Sequence, residues 1–245
     1  YPAPAGVLFL RSSARCTGLE RRILLAACAA RPAGLAAHVG VLYRWREGLP
    51  VEHPLIGLCR QAGVEATQIR DPSPFSPAAL WQLLALMRAV RPAILHTNEY
   101  RTDLLALLAG RLCRRRPRLI ATSHGHTAAT PRLRLYEALD RLALRRFDAV
   151  IGVSHHQCRL LSEWGVESRR IVHIPTPVEP GWEAGATDAL GQQLRRELGI
   201  SDDEKLLGFL GRPSPEKGLD TLLAAWPRVK TAHPRSRLLG AGETP

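Results

Sequence analysis

The chain has 245 residues and 45% hydrophobic content, which suffices for one sizeable core and the start of a second, so a disordered chain is excluded. Its formal net charge of +12 favours anionic partners such as nucleotides, acidic phospholipids or nucleic acid. Nearly all of the positive charge is arginine, and a genome-wide preference for arginine codons explains much of this excess. The five cysteines have no paired spacing, and the first apolar run, residues 6–10, is too short for a signal peptide or a membrane span. We therefore expect a cytoplasmic protein without disulfides.

Short apolar runs alternate with longer helical patterns, which is typical of a parallel sheet built from β-α units. The predicted strands are residues 6–10, 38–43, 64–69, 93–96, 118–122, 149–153 and 171–174. Prolines and glycines between 175 and 187 oppose regular structure and predict a linker. A helix over 188–198, a strand over 205–210, a helix from about 216 and a last short strand are expected after it.

Helix starts are marked by capping residues. Thr17 with Glu20, and Ser154 with Gln157, have the spacing of a capping box. The pairs Ser76-Pro77 and Ser214-Pro215 have the pattern of an N-cap followed by proline at the first helical position.

The segment 208–218, GFLGRPSPEKG, predicts a strand that enters a glycine-containing loop and then a capped helix. Free amides and the dipole at such a helix start favour an anion, and Arg212 and Lys217 flank the opening. The simpler interpretation is a pair of surface charges around an ordinary helix cap.

The stretch GRPSPEKGLDTLLAAW resembles the donor site of family 4 glycosyltransferases, retaining enzymes of the GT-B fold. The resemblance implies that Arg212 and Lys217 hold the diphosphate of a nucleotide sugar. TGLERRILLAACAA is similar to the family's first loop and helix, so Gly18 matches the glycine whose backbone lies close to the donor. Gly18 stands for the second glycine of the family's pair, whereas Thr17 replaces the first and is predicted to act mainly as a cap.

Further segments extend this resemblance along the chain. ILHTNEYRTDLLALLAGRL resembles the family's fourth strand and helix, which places His96, Asn98 and Glu99 on the acceptor side. RLIATSHGH resembles the next strand, whose histidine lies near the transferred sugar, and this catalytic role falls on His124. Ser154 follows a further matching strand and is a fourth acceptor-side candidate. A structural role for His124 is the alternative.

Two segments depart from the family pattern. Its crossing between domains has Asn-Gly, whereas this chain has Pro175-Thr176-Pro177, and Pro177 cannot adopt the positive φ that glycine allows. RLLGAGETP resembles the family's later strand and loop, and the following region, in which the family carries two glutamates, is not part of this sequence.

A helix over 132–146 carries Leu135, Leu139 and Leu142 on one face with arginines around them. This pattern suits a peripheral contact with an anionic membrane, at the inner face, and equally a core-packed helix with a solvated edge, which we slightly favour.

The sequence therefore predicts an α/β, GT-B-like protein with an acceptor-side domain over 1–176, a linker over 177–187 and an incomplete donor domain over 188–245. The implied activity is transfer of a sugar from a nucleoside diphosphate sugar to a carbohydrate or lipid-linked acceptor with retention, without cofactor or metal, and we expect residues 1–245 alone to be inactive. A dinucleotide-dependent oxidoreductase is one alternative, but no Gly-x-Gly-x-x-Gly follows the first strand. A non-catalytic binder of nucleotides or nucleic acid is the other, although only 5% of residues are aromatic and we expect no nucleic-acid partner.

Overall fold

The computed structural model describes residues 6–73, 76–125, 131–178, 181, 185, 187–211, 213 and 217–242. The chain forms two compact units, residues 1–178 and 179–245. The strands of the first unit are β1 (Gly6–Ser12), β2 (Ala36–Tyr43), β3 (Glu65–Arg70), β4 (Ile94–Thr97), β5 (Arg118–Ser123), β6 (Ala149–Gly152) and β7 (Ile171–His173). Its helices are α1 (Gly18–Ala30), α2 (Pro54–Gln61), α3 (Pro77–Val90), α4 (Tyr100–Leu112), α5 (Pro131–Leu144) and α6 (His155–Glu163).

The seven strands form one parallel sheet in the order β3-β2-β1-β4-β5-β6-β7, which confirms the predicted sheet. The chain runs outward from β1 to β3 in one direction and from β4 to β7 in the other. The order therefore reverses between β1 and β4, and open parallel sheets have their ligand crevice at the carboxyl ends of the strands beside such a reversal.

Each face of this sheet has its own hydrophobic core. Val7 and Phe9 of β1 belong to one cluster, with Ile23 of α1 and Leu55 of α2. The alternate residues of β1 belong to the other cluster, which includes side chains of α3, α4 and α6. Because both faces are covered, the strands are apolar on both sides, and this explains why short continuous apolar runs predicted them.

The predicted caps are formed in part. Thr17 and Glu20 make the capping box at the start of α1, and the Ser154 hydroxyl accepts a hydrogen bond from the Gln157 amide at the start of α6. Ser76 lies at the N-cap position of α3, but its side chain makes no capping hydrogen bond.

The second unit contains α7 (Asp188–Glu197), β8 (Lys205–Leu210), α8 (Leu219–Ala232) and β9 (Ser236–Ala241). The two strands pair in parallel. Among the described residues, α8 begins after Gly218, which takes a left-handed conformation, close to the expected start at about 216. Ser214, Pro215 and Glu216 lie outside the described residues.

Helix α5 shows that the core-packed interpretation of its leucine face is wrong. Leu135, Leu139 and Leu142 are 59%, 40% and 48% exposed. The helix packs through a different face, which buries Asp140, Ala143 and Leu144. The leucine stripe therefore lies on the surface, within the part of the chain that the structure describes.

Candidate functional site

Polar residues lie at the ends of the strands beside the reversal of the sheet, and Asn98, Glu99 and His124 among them were predicted from the sequence. β1 ends with Arg11 and Ser12, β4 is followed by Asn98 and Glu99, and β5 is followed by His124. The parallel order places the carboxyl ends of these three strands side by side. The site is thus assembled by the sheet from segments that are far apart in the sequence.

A buried ion pair connects the first strand to the first helix. The Arg11 Nε donates to the Glu20 carboxylate at 2.7 Å, and the Thr17 amide donates to the same carboxylate at 2.7 Å. The Glu20 residue is fully buried. Burial alone would raise the pKa of Glu20, but the Thr17 hydroxyl and the Arg11 charge outweigh it and lower the pKa to about 2.

The same arginine reaches the end of β4. Its Nη1 donates to the main-chain carbonyl oxygen of Asn98 at 3.3 Å, and the side-chain Nδ2 of Asn98 donates to the main-chain carbonyl oxygen of Leu10 at 3.3 Å. Glu99 caps α4, where its carboxylate accepts from the Thr102 amide at 3.1 Å. Burial raises the pKa of Glu99 to about 7, although the charge of Arg11 and backbone hydrogen bonds oppose this rise.

The two histidines of the site are neutral at neutral pH. Burial lowers the pKa of His96 to about 4, and the nearby His124 adds to this effect. Burial, followed by the charges of Arg11 and Arg22, lowers the pKa of His124 to about 4. The His96 Nε2 and the Thr122 hydroxyl are 2.8 Å apart. The His124 Nδ1 is buried and has no hydrogen-bond partner among the described residues.

Two cavities meet at Asn98 and His124. One has a volume of about 270 Å³ and a polar lining that includes Glu99, Asp103 and Asp140. The other, of about 190 Å³, is mainly apolar and is lined in part by His96 and by the crossing residues 174–177. The chain that replaces the family's Asn-Gly turn thus forms an apolar wall beside the site.

Carboxyl groups concentrate on the polar side. Asp103 and Asp140 are 2% and 3% exposed and come from neighbouring helices, α4 and α5. Burial raises the pKa of Asp103, and the charge of Asp140 raises it further. One proton shared by the two groups would remove the repulsion between their charges.

The remaining predicted residues have different surroundings. A Cβ added to Gly18 would meet nothing within 4 Å, so space for a ligand exists at this exposed position. Ser154 caps α6 and is exposed, and it lines neither of the two cavities. Lys217 is exposed in the second unit, and its Cγ and Cδ would lie 3.9 Å from a Cβ built on Gly211. Arg212 lies outside the described residues.

Sequence analysis missed Arg11, Asp103 and Asp140. A charged residue directly after the apolar run of β1 was a usable signal for Arg11, because side chains at strand ends face the crevice. The two aspartates gave no local signal, since their pairing depends on the contact between α4 and α5.

Comparison with known proteins identifies the family. The model of Glycosyltransferase Family 4 matches residues 17–182. The chain belongs to glycosyltransferase family 4. In the part of the chain that the structure describes, no helix combines the length and apolar character needed to cross a membrane.

Curated glycosyltransferases are similar to segments of this chain. The glycogen synthase of Halorhodospira halophila is 47% identical over 106 residues, which are 43% of this chain and 21% of that protein. A GDP-mannose-dependent mannosyltransferase of Corynebacterium glutamicum, which acts on monoacylated α-(1-6)-phosphatidylinositol monomannoside, is 28% identical over 143 residues, 56% of this chain and 36% of that protein. The chain thus spans about a fifth to about a third of these relatives.

Anabaena HepE, solved in complex with UDP and glucose, has the same fold. Its TM-score is 0.74 at 17% identity, over 98% of this chain and 61% of that protein. This likeness establishes the GT-B-type α/β architecture.

The buried ion pair of this family 4 chain predicts a pH-dependent stability. The folded-state pKa of Glu20 is lowered, so its contribution is complete above about pH 4.5 and is lost as the pH falls towards about 2. We expect Glu20→Gln to lower the free energy of unfolding by about 3 kcal/mol at pH 7, and the difference from wild type to shrink on acidification. Urea unfolding at several pH values measures this. A difference that does not change between pH 7 and pH 3 would contradict the assignment.

Proposed function

We propose that the protein transfers a hexose or related sugar from a nucleoside diphosphate sugar to a carbohydrate or lipid-linked acceptor with retained configuration. The observation that carries this proposal is the meeting of His96, Asn98, Glu99 and His124 around two joined cavities at the carboxyl edge of a family 4 domain. Carboxylate, amide and imidazole groups are suited to hydrogen-bonding sugar hydroxyls.

His124 is the residue that we assign to the transferred sugar. A neutral imidazole with a pKa of about 4 is a weak base, so its role is to position the sugar by hydrogen bonds. Such a contact contributes to the rate when it is stronger in the transition state than in the ground state.

The donor diphosphate is assigned to Arg212 and Lys217. The leaving nucleoside diphosphate gains negative charge as the glycosidic bond breaks, and two cations can stabilise that charge without a metal or other cofactor. The Corynebacterium relative uses GDP-mannose and HepE was solved with UDP, so both nucleotides are reasonable probes.

The alternatives have less support. Family membership argues against a dinucleotide-dependent oxidoreductase. A nucleic-acid binder would use the net charge of +12, but the polar cavity beside His124 is lined by four carboxyl groups and one arginine, not by the basic side chains that a phosphate backbone requires.

A substitution at either cation tests the donor site. We expect Arg212→Ala and Lys217→Ala in the full-length protein each to weaken UDP or GDP binding at least tenfold, about 1.4 kcal/mol, because a charge-assisted contact is lost. Calorimetry measures the affinity, and Lys205→Ala, another exposed lysine of the second unit, is the matched control. Unchanged affinity in both variants would remove the donor assignment.

The assignment of His124 has its own test. We expect His124→Ala to lower kcat about 100-fold and to change nucleotide affinity less than threefold, since the histidine addresses the sugar. Steady-state kinetics and calorimetry separate the two quantities, and the exposed His156→Ala is the control. Normal kcat together with a large loss of thermal stability would instead show a structural role.

We also propose that the leucine stripe of α5 contacts an anionic membrane at the cytoplasmic face, where a lipid-linked acceptor would be found. Leu135, Leu139 and Leu142 are exposed, and Arg134, Arg145 and Arg146 of the same region are exposed as well. Leucines that enter the headgroup region and arginines that meet anionic lipid stabilise such a contact together.

Cosedimentation with vesicles tests the membrane contact. We expect Leu135→Ser combined with Leu139→Ser to lower binding to phosphatidylglycerol-containing vesicles at least tenfold, because two apolar side chains leave the bilayer. Leu190→Ser combined with Leu194→Ser alters two exposed leucines of α7 and is the matched control. Equal loss in both double variants, or no binding by wild type, would refute the proposal.

A further inference from the structure

A third cavity, of about 450 Å³, opens at the carboxyl ends of β1, β2 and β3. We call it the arginine cleft, because its lining includes Arg15, Arg44, Arg46 and Arg101. None of the residues predicted from the sequence lines it. The proposed function assigns no role to these four arginine side chains.

A buried carboxylate holds two of the arginines in place. Asp71 follows β3, and its side chain is 1% exposed. The Arg44 Nη2 lies 3.4 Å from this carboxylate and its Nε donates to the Asp71 carbonyl oxygen at 3.2 Å. Arg101, from α4, pairs with the other carboxylate oxygen and donates to the Ser73 carbonyl oxygen at 2.9 Å. The two guanidinium groups are therefore preorganised, and one carboxylate cannot neutralise both.

The mouth of the cleft adds further positive charge. Arg46 is exposed, and Glu47 is the one acidic residue besides Asp71 among the lining residues that the structure describes. Four arginines against two carboxylates leave a local charge of +2 (4 − 2). Arginine forks match the geometry of phosphate and carboxylate oxygens, so the cleft is suited to an oxyanion.

The arginine cleft adjoins the cavity of His124. Ser12 lines both cavities, and the neighbouring residues Tyr100 and Arg101 each line one of them. Strands lie about 4.8 Å apart, so β2, which leads to Arg44, is about 14 Å from β5, which leads to His124. This span fits a molecule of the size of about two sugar rings with a phosphate group. The cavity on the His124 side is lined by four carboxyl groups and one arginine, so the two neighbouring cavities differ in charge.

We propose that the acceptor carries a phosphate group, which the arginine cleft binds, while the acceptor's sugar or polyol part lies in the carboxyl-lined cavity with its reactive hydroxyl towards His124. This inference rests on the proposed transferase function and names the substrate class of that site. The charge asymmetry sets the direction of binding, because the arginine cleft has an excess of positive charge and the carboxyl-lined cavity has none. The phosphate belongs either to a free sugar phosphate or to a lipid headgroup.

Binding to wild type by calorimetry or NMR tests this proposal, with UDP or GDP at saturation to occupy the donor site. The probes are glucose 6-phosphate, for a free sugar phosphate, glycerophosphoglycerol, for a lipid headgroup without acyl chains, and neutral glucose. We expect at least one phosphate to bind tenfold more tightly than glucose, and the tighter of the two identifies the source. If neither phosphate binds more tightly than glucose, the proposal is wrong.

Charge-removing variants locate the binding. We expect Arg44→Gln combined with Arg46→Gln to weaken phosphate binding at least tenfold, and Arg46→Gln alone, which leaves the Asp71 contacts intact, to weaken it at least threefold. The matched control is Arg88→Gln combined with Arg115→Gln, which removes two charges from a separate basic cavity. We expect less than a twofold effect there, and an equal effect would show non-specific attraction.

Parallel titration with UDP and GDP separates this inference from the proposed function. If the nucleotides bind but neither phosphate probe binds more tightly than glucose, the proposal for the arginine cleft is wrong and the donor assignment stands. Absence of nucleotide binding would overturn the donor assignment on which the transferase proposal depends.

Discussion

The buried carboxylate of Glu20 determines how the crevice of the first unit is assembled. It closes the capping box with Thr17 and pairs with Arg11, which in turn reaches the Asn98 carbonyl oxygen. One side chain thereby connects the start of α1 with the ends of β1 and β4, the two strands between which the sheet order reverses. Loss of the carboxylate would leave the largely buried Arg11 without its ionic partner, and a buried unpaired charge is far more costly than a missing surface contact.

At this edge of the sheet, a cavity with little net charge lies beside a positively charged one. The pKa values of His96 and His124 are lowered and that of Glu99 is raised, with burial as the largest cause for each. The site near His124 thus carries little charge at neutral pH, which suits uncharged hydroxyl groups. The buried Asp71 carboxylate with its partners Arg44 and Arg101, which we call the Asp71 latch, holds two guanidinium groups in fixed positions beside that cavity. A polar but nearly neutral cavity next to a cationic one would distinguish the two ends of the proposed acceptor.

The sequence predicted those features that depend on residues close together in the chain, and it missed those that depend on residues far apart in it. The seven strands and the Thr17–Glu20 box depend on residues close in the chain, so apolar runs and capping patterns revealed them. The Arg11–Asn98 contact, the Asp103–Asp140 pair and the Asp71 latch join residues that only the folded sheet and helices bring together. For α5, periodicity correctly predicted that three leucines share one face, but the expectation that this face packs against the core was wrong. The helix packs by a different face, which depends on its neighbours in the fold and cannot be identified from periodicity alone.

The two units differ in how far their functional groups are preorganised. In the first unit, Arg11, Asn98 and Glu99 are held by a buried ion pair, a strand end and a helix cap, so these groups need little reorganisation when a ligand binds. Lys217, in contrast, is exposed in the second unit. An exposed, flexible cation loses conformational freedom on binding and is screened by solvent, so it contributes less unless a ligand or other groups enclose it. Under the proposed function, selectivity for the acceptor would therefore depend mainly on the sheet edge of the first unit, through the position of His124 relative to the arginine cleft.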